Sequence, residues 1–226
     1  MLFINSVIYF DGHMKETRAQ RVRAASSERR EREKQELRQA ILAAAQELFL
    51  AHGYEGLSMR LVAEKIGYTP TTIYLYFEDK DDLLFAVMDE AYDRFTADLE
   101  VAYRSTDDPL QRLRSLADAY VHFALQSQGA YQLIFMQRPD FLLKWKAGTK
   151  QPRAASLSIL REAIQQAQHA GVIGAGDVEL QSDVFWAAVH GAASLAIAMP
   201  ALFGHERLER TVAAVLDAAL HSLRPT

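Results

Sequence analysis

Cysteine is absent from the 226-residue chain. That excludes a disulfide framework, a thiol nucleophile and a thiolate metal site, and it fits a reducing compartment. No apolar run approaches the roughly 20 residues needed to cross a bilayer, so no membrane partner and a cytoplasmic location are expected. The apolar stretch in the first thirteen residues, MLFINSVIYFDGH, is short and lacks a cationic lead, which argues against a signal peptide. Residues 1–13 are expected to be disordered or not translated, with Met14 as the competing start, and residues 1–27 together to form a disordered extension. The seven histidines are scattered, with no pair at the i, i+4 spacing of a helical metal site. No glycine loop suited to cradling phosphate occurs, and no Ser and Asp arrangement singles out a nucleophile. Catalytic residues, metal and cofactors are therefore expected to be none, and a helical enzyme or small-molecule carrier is the most remote reading.

What is present is an ordinary globular balance, 50% hydrophobic and 24% charged, in a chain long enough for one large domain or two small ones. The net charge of -4 hides an asymmetry. Lys15 to Arg38 holds nine Lys/Arg against five Glu, a net of +4, whereas from Gln39 onward 16 basic residues face 23 acidic ones, a net of -7. The basic segment has two readings: a solvated charged helix, or an arm that attracts phosphates.

Almost everything reads as helix, so the expected fold class is all-α. Helix 1 is expected from near Glu28 to His52, with Leu37, Ile41, Ala44, Leu48 and Phe49 as its buried stripe and Gly53 as its stop. A long helix capped by Asp79 carries the stripe Leu84, Val87, Met88, Ala91, Phe95, Leu99 and Ala102, about six turns. Asp108-Pro109 opens the next helix, expected to run to about Gln128, with Gly129 as the following turn and Ala130 to Gln137 as a short apolar helix. After the breaks at Pro139 and from Lys146 to Pro152, helices are expected from about Arg153 to Ala170, from Asp177 to Met199, and from Glu206 to Leu223.

The segment Gly53 to Lys80, GYEGLSMRLVAEKIGYTPTTIYLYFEDK, has the form of helix, tight turn and helix. Ser58 can N-cap the first helix, Leu61, Val62, Ala63 and Ile66 supply its apolar face, and Gly67 can turn the chain with positive φ. Thr69 caps the second helix, with Pro70 at its first position. Ile73 and Phe77 point inward, and Thr71, Thr72, Tyr74 and Tyr76 outward. Exposed hydroxyls and phenols on such a helix can bond phosphates and base edges. Arg60 and Lys80 would neutralise phosphates, Tyr74 would bond the DNA backbone, and Thr69, Thr71, Thr72 and Tyr76 would face the groove. Ser58 could also present its backbone N–H to a phosphate. The competing readings are capping alone for Ser58 and Thr69, and packing on helix 1 for Tyr74 and Tyr76.

These residues, with Ala40 to Ala45, Leu48-Phe49, Val62-Ala63, Tyr76-Phe77 and Leu83-Leu84, resemble the DNA-binding domain of the TetR family of bacterial transcriptional regulators. Tyr68 departs from the small aliphatic residue more frequent there, and Thr71-Thr72 from the glycine or other small residue often found beside threonine. The resemblance implies a three-helix helix-turn-helix domain at 28–84 and a larger helical ligand-binding and dimerisation domain at 85–226. It also implies that the final two helices form the dimer interface. From the residues themselves, the alanine-rich faces there (Ala187, Ala188, Gly191, Ala192 and Ala193; Ala213, Ala214, Ala218 and Ala219) suit either a core or half of an intermolecular four-helix bundle.

Trp186 and His190 lie four apart on one helix face, followed by Gly191. This Trp-x-x-x-His-Gly pattern resembles a subgroup of TetR-like C-terminal domains. Aromatic residues cluster at Tyr120, Phe123, Tyr131, Phe135, Phe141 and Trp145, at spacings that suit an ordinary core or the wall of an apolar cavity. Phe123, Phe135 and Trp186 are the expected apolar walls, and Gln126, Tyr131 and His190 the polar handles. The expectation is a homodimeric regulator bound to a palindromic double-stranded operator and released from it by a small hydrophobic effector, most simply as a repressor. The alternative is a constitutive DNA-binding protein whose C-terminal domain only dimerises.

Overall fold

The computed structural model describes residues 17–135, 152–202 and 205–223. Its helices are α1 (Arg18–Gly56), α2 (Met59–Ile66), α3 (Pro70–Tyr74), α4 (Lys80–Arg104), α5 (Pro109–Gln126), α6 (Gln128–Phe135), α7 (Pro152–His169), α8 (Val178–Ala198) and α9 (His205–Ser222). The described residues are helical with no strand. The chain divides between Ala40 and Ile41 into two compact units.

In the first unit, helix begins at Arg18, ten residues before the expected start near Glu28. Residues 18–27, placed in the N-terminal extension by the sequence, are helical here; the run is rich in Ala and Arg, which favour helix, and contains no Gly or Pro to stop it. The segment is polar and mostly exposed; Arg29 and Glu33 form an i, i+4 ion pair at 3.6 Å, and Gln35 donates to Glu31 at 3.2 Å. The expectations for residues 1–13 and Met14 lie outside the described residues.

The second unit starts on the apolar stretch of α1. Ile41, Leu42, Ala44, Ala45 and Phe49 are buried, while Leu48 is half-buried. Gly53, at φ 68° and ψ -174°, interrupts the helical backbone where a glycine stop was expected. The long helix α4 buries its whole expected stripe from Leu84 to Ala102 and packs against α5, α6 and α7. Asp79, Asp108 and Asp177 cap α4, α5 and α8, each carboxylate accepting a backbone N–H: from Asp82 at 2.8 Å, Gln111 at 2.8 Å and Glu179 at 2.9 Å. Such caps each contribute about 1 kcal/mol.

The α5–α6 break falls at Ser127, not at Gly129. Gly129 is instead a helical residue pressed by α1: a Cβ there would collide with the Leu50 side chain. Buried Arg112 ties the α4–α5 link. Its guanidinium donates to the carbonyls of Tyr103 at 2.9 Å and Thr106 at 2.6 Å, and to the Gln166 side-chain oxygen on α7. α8 packs on α5, α7 and α9, and its other face leaves Leu180, Val184 and Leu195 exposed.

Candidate functional site

The turn between α2 and α3 is built by the residues that pointed to it. Ser58 Oγ accepts the Leu61 N–H at 3.2 Å. Gly67 adopts φ 75°, ψ 28°, a left-handed geometry that glycine takes without Cβ strain, and the next amide, Tyr68 N–H, closes on the Ala63 carbonyl at 2.9 Å. Thr69 Oγ1 accepts the Thr72 N–H at 3.4 Å and lies 3.1 Å from Thr72 Oγ1. Val62, Ala63, Ile73 and Phe77 are buried beneath, as their spacing required.

Above this base, Thr71 is exposed and Tyr74 is 55% exposed. α3 ends at Tyr74, so Tyr76, expected on its outer side, stands beyond the helix and is half-buried. Thr72 is half-buried with its hydroxyl turned to Thr69. Arg60 is exposed and paired with Glu64 on its own helix at 2.8 Å, and the hydrogen bond it donates to Glu64 raises its already high pKa. Sequence reasoning passed over Leu75, which is 79% exposed, and took Tyr68, 49% exposed, only as a departure in the turn. Both are large apolar groups at the tip of the head, and a leucine directly after an outward Tyr74 was the available signal.

Lys80 does more than present a charge. Its Nζ donates to the Tyr54 carbonyl at 2.9 Å and sits 3.8 Å over the centre of the Tyr54 ring. The Tyr54 hydroxyl donates to the Asp81 carboxylate. That hydrogen bond, with burial and the nearby carboxylates, pushes the phenol up to about 12. The first residues of α4 are thus clamped to the last turn of α1, just past its interruption at Gly53.

Further along α4, Phe95 and Leu99 form one wall of an apolar cavity of about 50 Å³. Tyr120 of α5, Phe135 of α6, Leu160 of α7, and Trp186 and Val189 of α8 line it with others, and no lining residue carries a charge. Beside it runs a polar cluster. Trp186 Nε1 donates to the Tyr120 hydroxyl at 3.3 Å. The Tyr120 and Tyr131 hydroxyls both lie 2.8 Å from His190 Nδ1. Ser194 Oγ lies 3.0 Å from the Tyr131 hydroxyl and 3.3 Å from His190 Nε2. With Nε2–H turned to Ser194, Nδ1 has one lone pair and accepts a proton from one of the two tyrosines, while Tyr131 also has the Ser194 hydroxyl and the His190 carbonyl, at 3.4 Å, as partners. That arrangement requires neutral His190, and burial lowers its pKa. Burial raises both tyrosines, Tyr120 the more strongly.

Of the six expected ligand residues, Phe135 and Trp186 line the cavity and Tyr131 and His190 belong to the adjoining cluster. Phe123 is buried against Phe95, ring centres 4.9 Å apart, and does not line the cavity. Gln126 is exposed at the end of α5; it takes no part in the cavity or the cluster. Phe141 and Trp145 lie outside the described residues. Tyr120, which joins cavity and cluster, was legible as an aromatic but was not chosen. Among the described residues no group of His, Asp and Glu is arranged to hold a metal, and no helix is long and apolar enough to cross a membrane.

Two family models match. That for bacterial regulatory proteins of the tetR family covers residues 41–87, and that for a tetracyclin repressor-like C-terminal domain covers residues 113–223. The HTH-type transcriptional activator FasR of Mycolicibacterium smegmatis is 29% identical over 153 residues, 66% of this chain and 70% of that protein. The HTH-type transcriptional repressor ComR of Escherichia coli is 42% identical over 60 residues, 26% of this chain and 29% of that one. In fold, the fatty acid degradation regulator FadR from Bacillus halodurans matches with a TM-score of 0.71 at 19% identity, covering 84% of this chain and 97% of that one. With a helix-turn-helix head and a helical C-terminal domain each matching its own model, the chain belongs to the TetR family of DNA-binding transcriptional regulators.

Proposed function

We propose that the protein is a ligand-responsive homodimeric regulator, bound to a two-fold operator and released from it by a small hydrophobic effector. The observation that carries this reading is that one helix, α4, is clamped to the head at Lys80 and walls an uncharged cavity at Phe95 and Leu99. About 22 Å of helix separates the two ends. A molecule entering between Phe95, Tyr120, Phe135 and Trp186 must widen a 50 Å³ cavity, because ligand pockets run to about 300 Å³ or more. Widening displaces α4, and with it the α3 surface. The effector must bind the released form more tightly, and DNA then weakens effector binding by the same factor.

In this reading the domain of residues 28–84 contacts DNA through Thr71 and Tyr74 on α3, with Lys80 and Arg60 toward phosphates. Ser58 and Thr69 hold the turn, and Thr72 and Tyr76 contribute from the side. Residues 85–226 bind effector and dimerise. The exposed row Leu180, Val184 and Leu195 on α8, with exposed Ala214 and Ala218 on α9, supplies an apolar face of the kind an intermolecular four-helix bundle buries. The Trp186–His190 pair, ring centres 5.9 Å apart on one helix face, supports reading the C-terminal domain as one of the Trp-x-x-x-His-Gly subgroup. Since FasR is named an activator and ComR a repressor, repression is the sign a promoter fusion tests. The cavity's small volume favours a second reading, a constitutive DNA-binding protein.

The experiment is operator affinity, on DNA found by footprinting upstream of the gene, with medium-chain alcohols, fatty acids and substituted phenols as probes. Wild type is expected to lose affinity with at least one probe, and Ala117→Leu, which fills the cavity, to keep its affinity. No response from wild type, or an equal response from the filled variant, sinks the effector reading.

A further inference from the structure

The basic segment ahead of the head has no role in the reading above. Thr17 to Ala40 holds eight Lys/Arg against four Glu, a net of +4, while the chain from Gln39 onward is net -7. Attraction for phosphate is therefore concentrated here. The segment is helical from Arg18 and polar all round, so it has no apolar face to bury. Such a helix depends on local ion pairs or on a partner, since an isolated polar helix is marginal in water.

Its charges are not evenly spread. Arg29 is paired with Glu33, and Glu31 accepts from Gln35. Arg23, Arg30 and Lys34 are exposed and stand in no ion pair among the described residues. Seven and four residues apart, they fall within about 40° on one side of the helix and span about 17 Å of its axis. Along one DNA strand that length faces about five phosphates. Glu28 and Glu36 fall on the opposite side. In sequence the segment directly precedes Ile41, where the match to the DNA-binding family begins.

We propose that Arg23, Arg30 and Lys34 form a second DNA-contacting row, held on operator phosphates other than those met by the head. Phosphate contacts carry no sequence information, so the row sets affinity, salt dependence and footprint length without changing which bases are preferred.

The test compares the full chain with two charge-matched variants on a fluorescent operator. One is Arg30→Gln/Lys34→Gln on the row; the other is Arg18→Gln/Arg32→Gln on the far side. Glutamine preserves helix propensity. The row variant is expected to bind at least about tenfold more weakly near 0.1 M salt, with the slope of log K against log salt reduced by about 1.8 per protomer. The far-side variant should change less than about threefold on the same scale. Equal losses in both variants reduce the effect to a general field and overturn the proposal, as does no loss in the row variant. A second arm uses the unmodified protein on DNA trimmed to the footprint of α3. Weaker, less salt-dependent binding to the trimmed DNA supports the row, and unchanged binding overturns it even if the row variant folds poorly.

Discussion

Lys80→Met separates two roles that one ammonium group can hold. Methionine keeps most of the stem but removes the charge. The hydrogen bond to the Tyr54 carbonyl at 2.9 Å is charge-assisted, about 1.5–3 kcal/mol when buried, and reduces to about 1 kcal/mol at this half-exposed position. The ammonium 3.8 Å above the Tyr54 ring adds about 0.5–1 kcal/mol. The substitution should therefore lower stability by about 1.5–2 kcal/mol, read as a fall in the urea midpoint at constant slope. The ammonium uses one of its three protons on Tyr54 and keeps the others for a phosphate. Loss of that contact should reduce the slope of log K against log salt by about 0.9 per protomer. An unchanged urea midpoint would refute the clamp. Lost stability with an unchanged salt slope would assign Lys80 to the clamp alone. Tyr54→Phe keeps ring and carbonyl while losing the bond to Asp81, so it should cost about 1 kcal/mol and leave the salt slope as it was. The Tyr54 phenol is raised from 10.0 to about 12 in the folded protein, so its stabilisation is fully present below pH 10 and is lost as pH rises from there through 12.

Two further predictions concern the C-terminal domain. Arg112→Met should destabilise it by about 2–4 kcal/mol in urea unfolding, because the carbonyls of Tyr103 and Thr106 lose their donor; a cost below about 1 kcal/mol would mean that water replaces the guanidinium. Burial lowers the pKa of His190 from 6.5, so the unfolded chain takes up a proton first as pH falls. Stability is complete above about pH 6.5 and declines from there until the folded-state value is reached; His190→Gln should flatten that decline in urea midpoints measured from pH 8 to 5, and an unchanged pH profile would refute the assignment.

The head was legible because its signals are local. Ser58 meets the amide of Leu61, Thr69 that of Thr72, and Asp79 that of Asp82, each three residues on, and Gly67 takes the one backbone geometry that a tight turn asks of glycine. Spacing in sequence nearly determines spacing in space at that range. The boundary that failed, at Glu28, failed for a related reason: a charged segment without apolar periodicity gives no signal for where helix begins, and propensity alone carried it back to Arg18. The clamp was half legible. Lys80 stood out as a cation, but its partner Tyr54 lies 26 residues away, and nothing local joins the two.

The cavity rests on pairs still more distant: Tyr120 meets His190 across 70 residues and Tyr131 meets it across 59. Helical spacing nevertheless held part of the answer. On α5 the buried stripe runs Leu113, Leu116, Ala117, Tyr120 and Ala124; Gln126, six residues after Tyr120, falls on the other side of a helix with 3.6 residues per turn. A polar side chain there cannot reach a cavity that Tyr120 lines, so Gln126 could have been rejected from the pattern alone. Phe123 lies about 60° from Tyr120 on the same helix, which brings it to the core but turns it onto Phe95 and away from the opening. Trp186 and His190, four apart, do share a face, with ring centres 5.9 Å apart. What the pattern could not supply is which helix meets that face, and therefore that the hydroxyl of Tyr120 lies within hydrogen-bonding distance of both rings. Tyr120 stands at the edge of the cavity and at the head of the polar cluster, so a molecule that displaced its ring would disturb the hydrogen bonds of His190 in the same step.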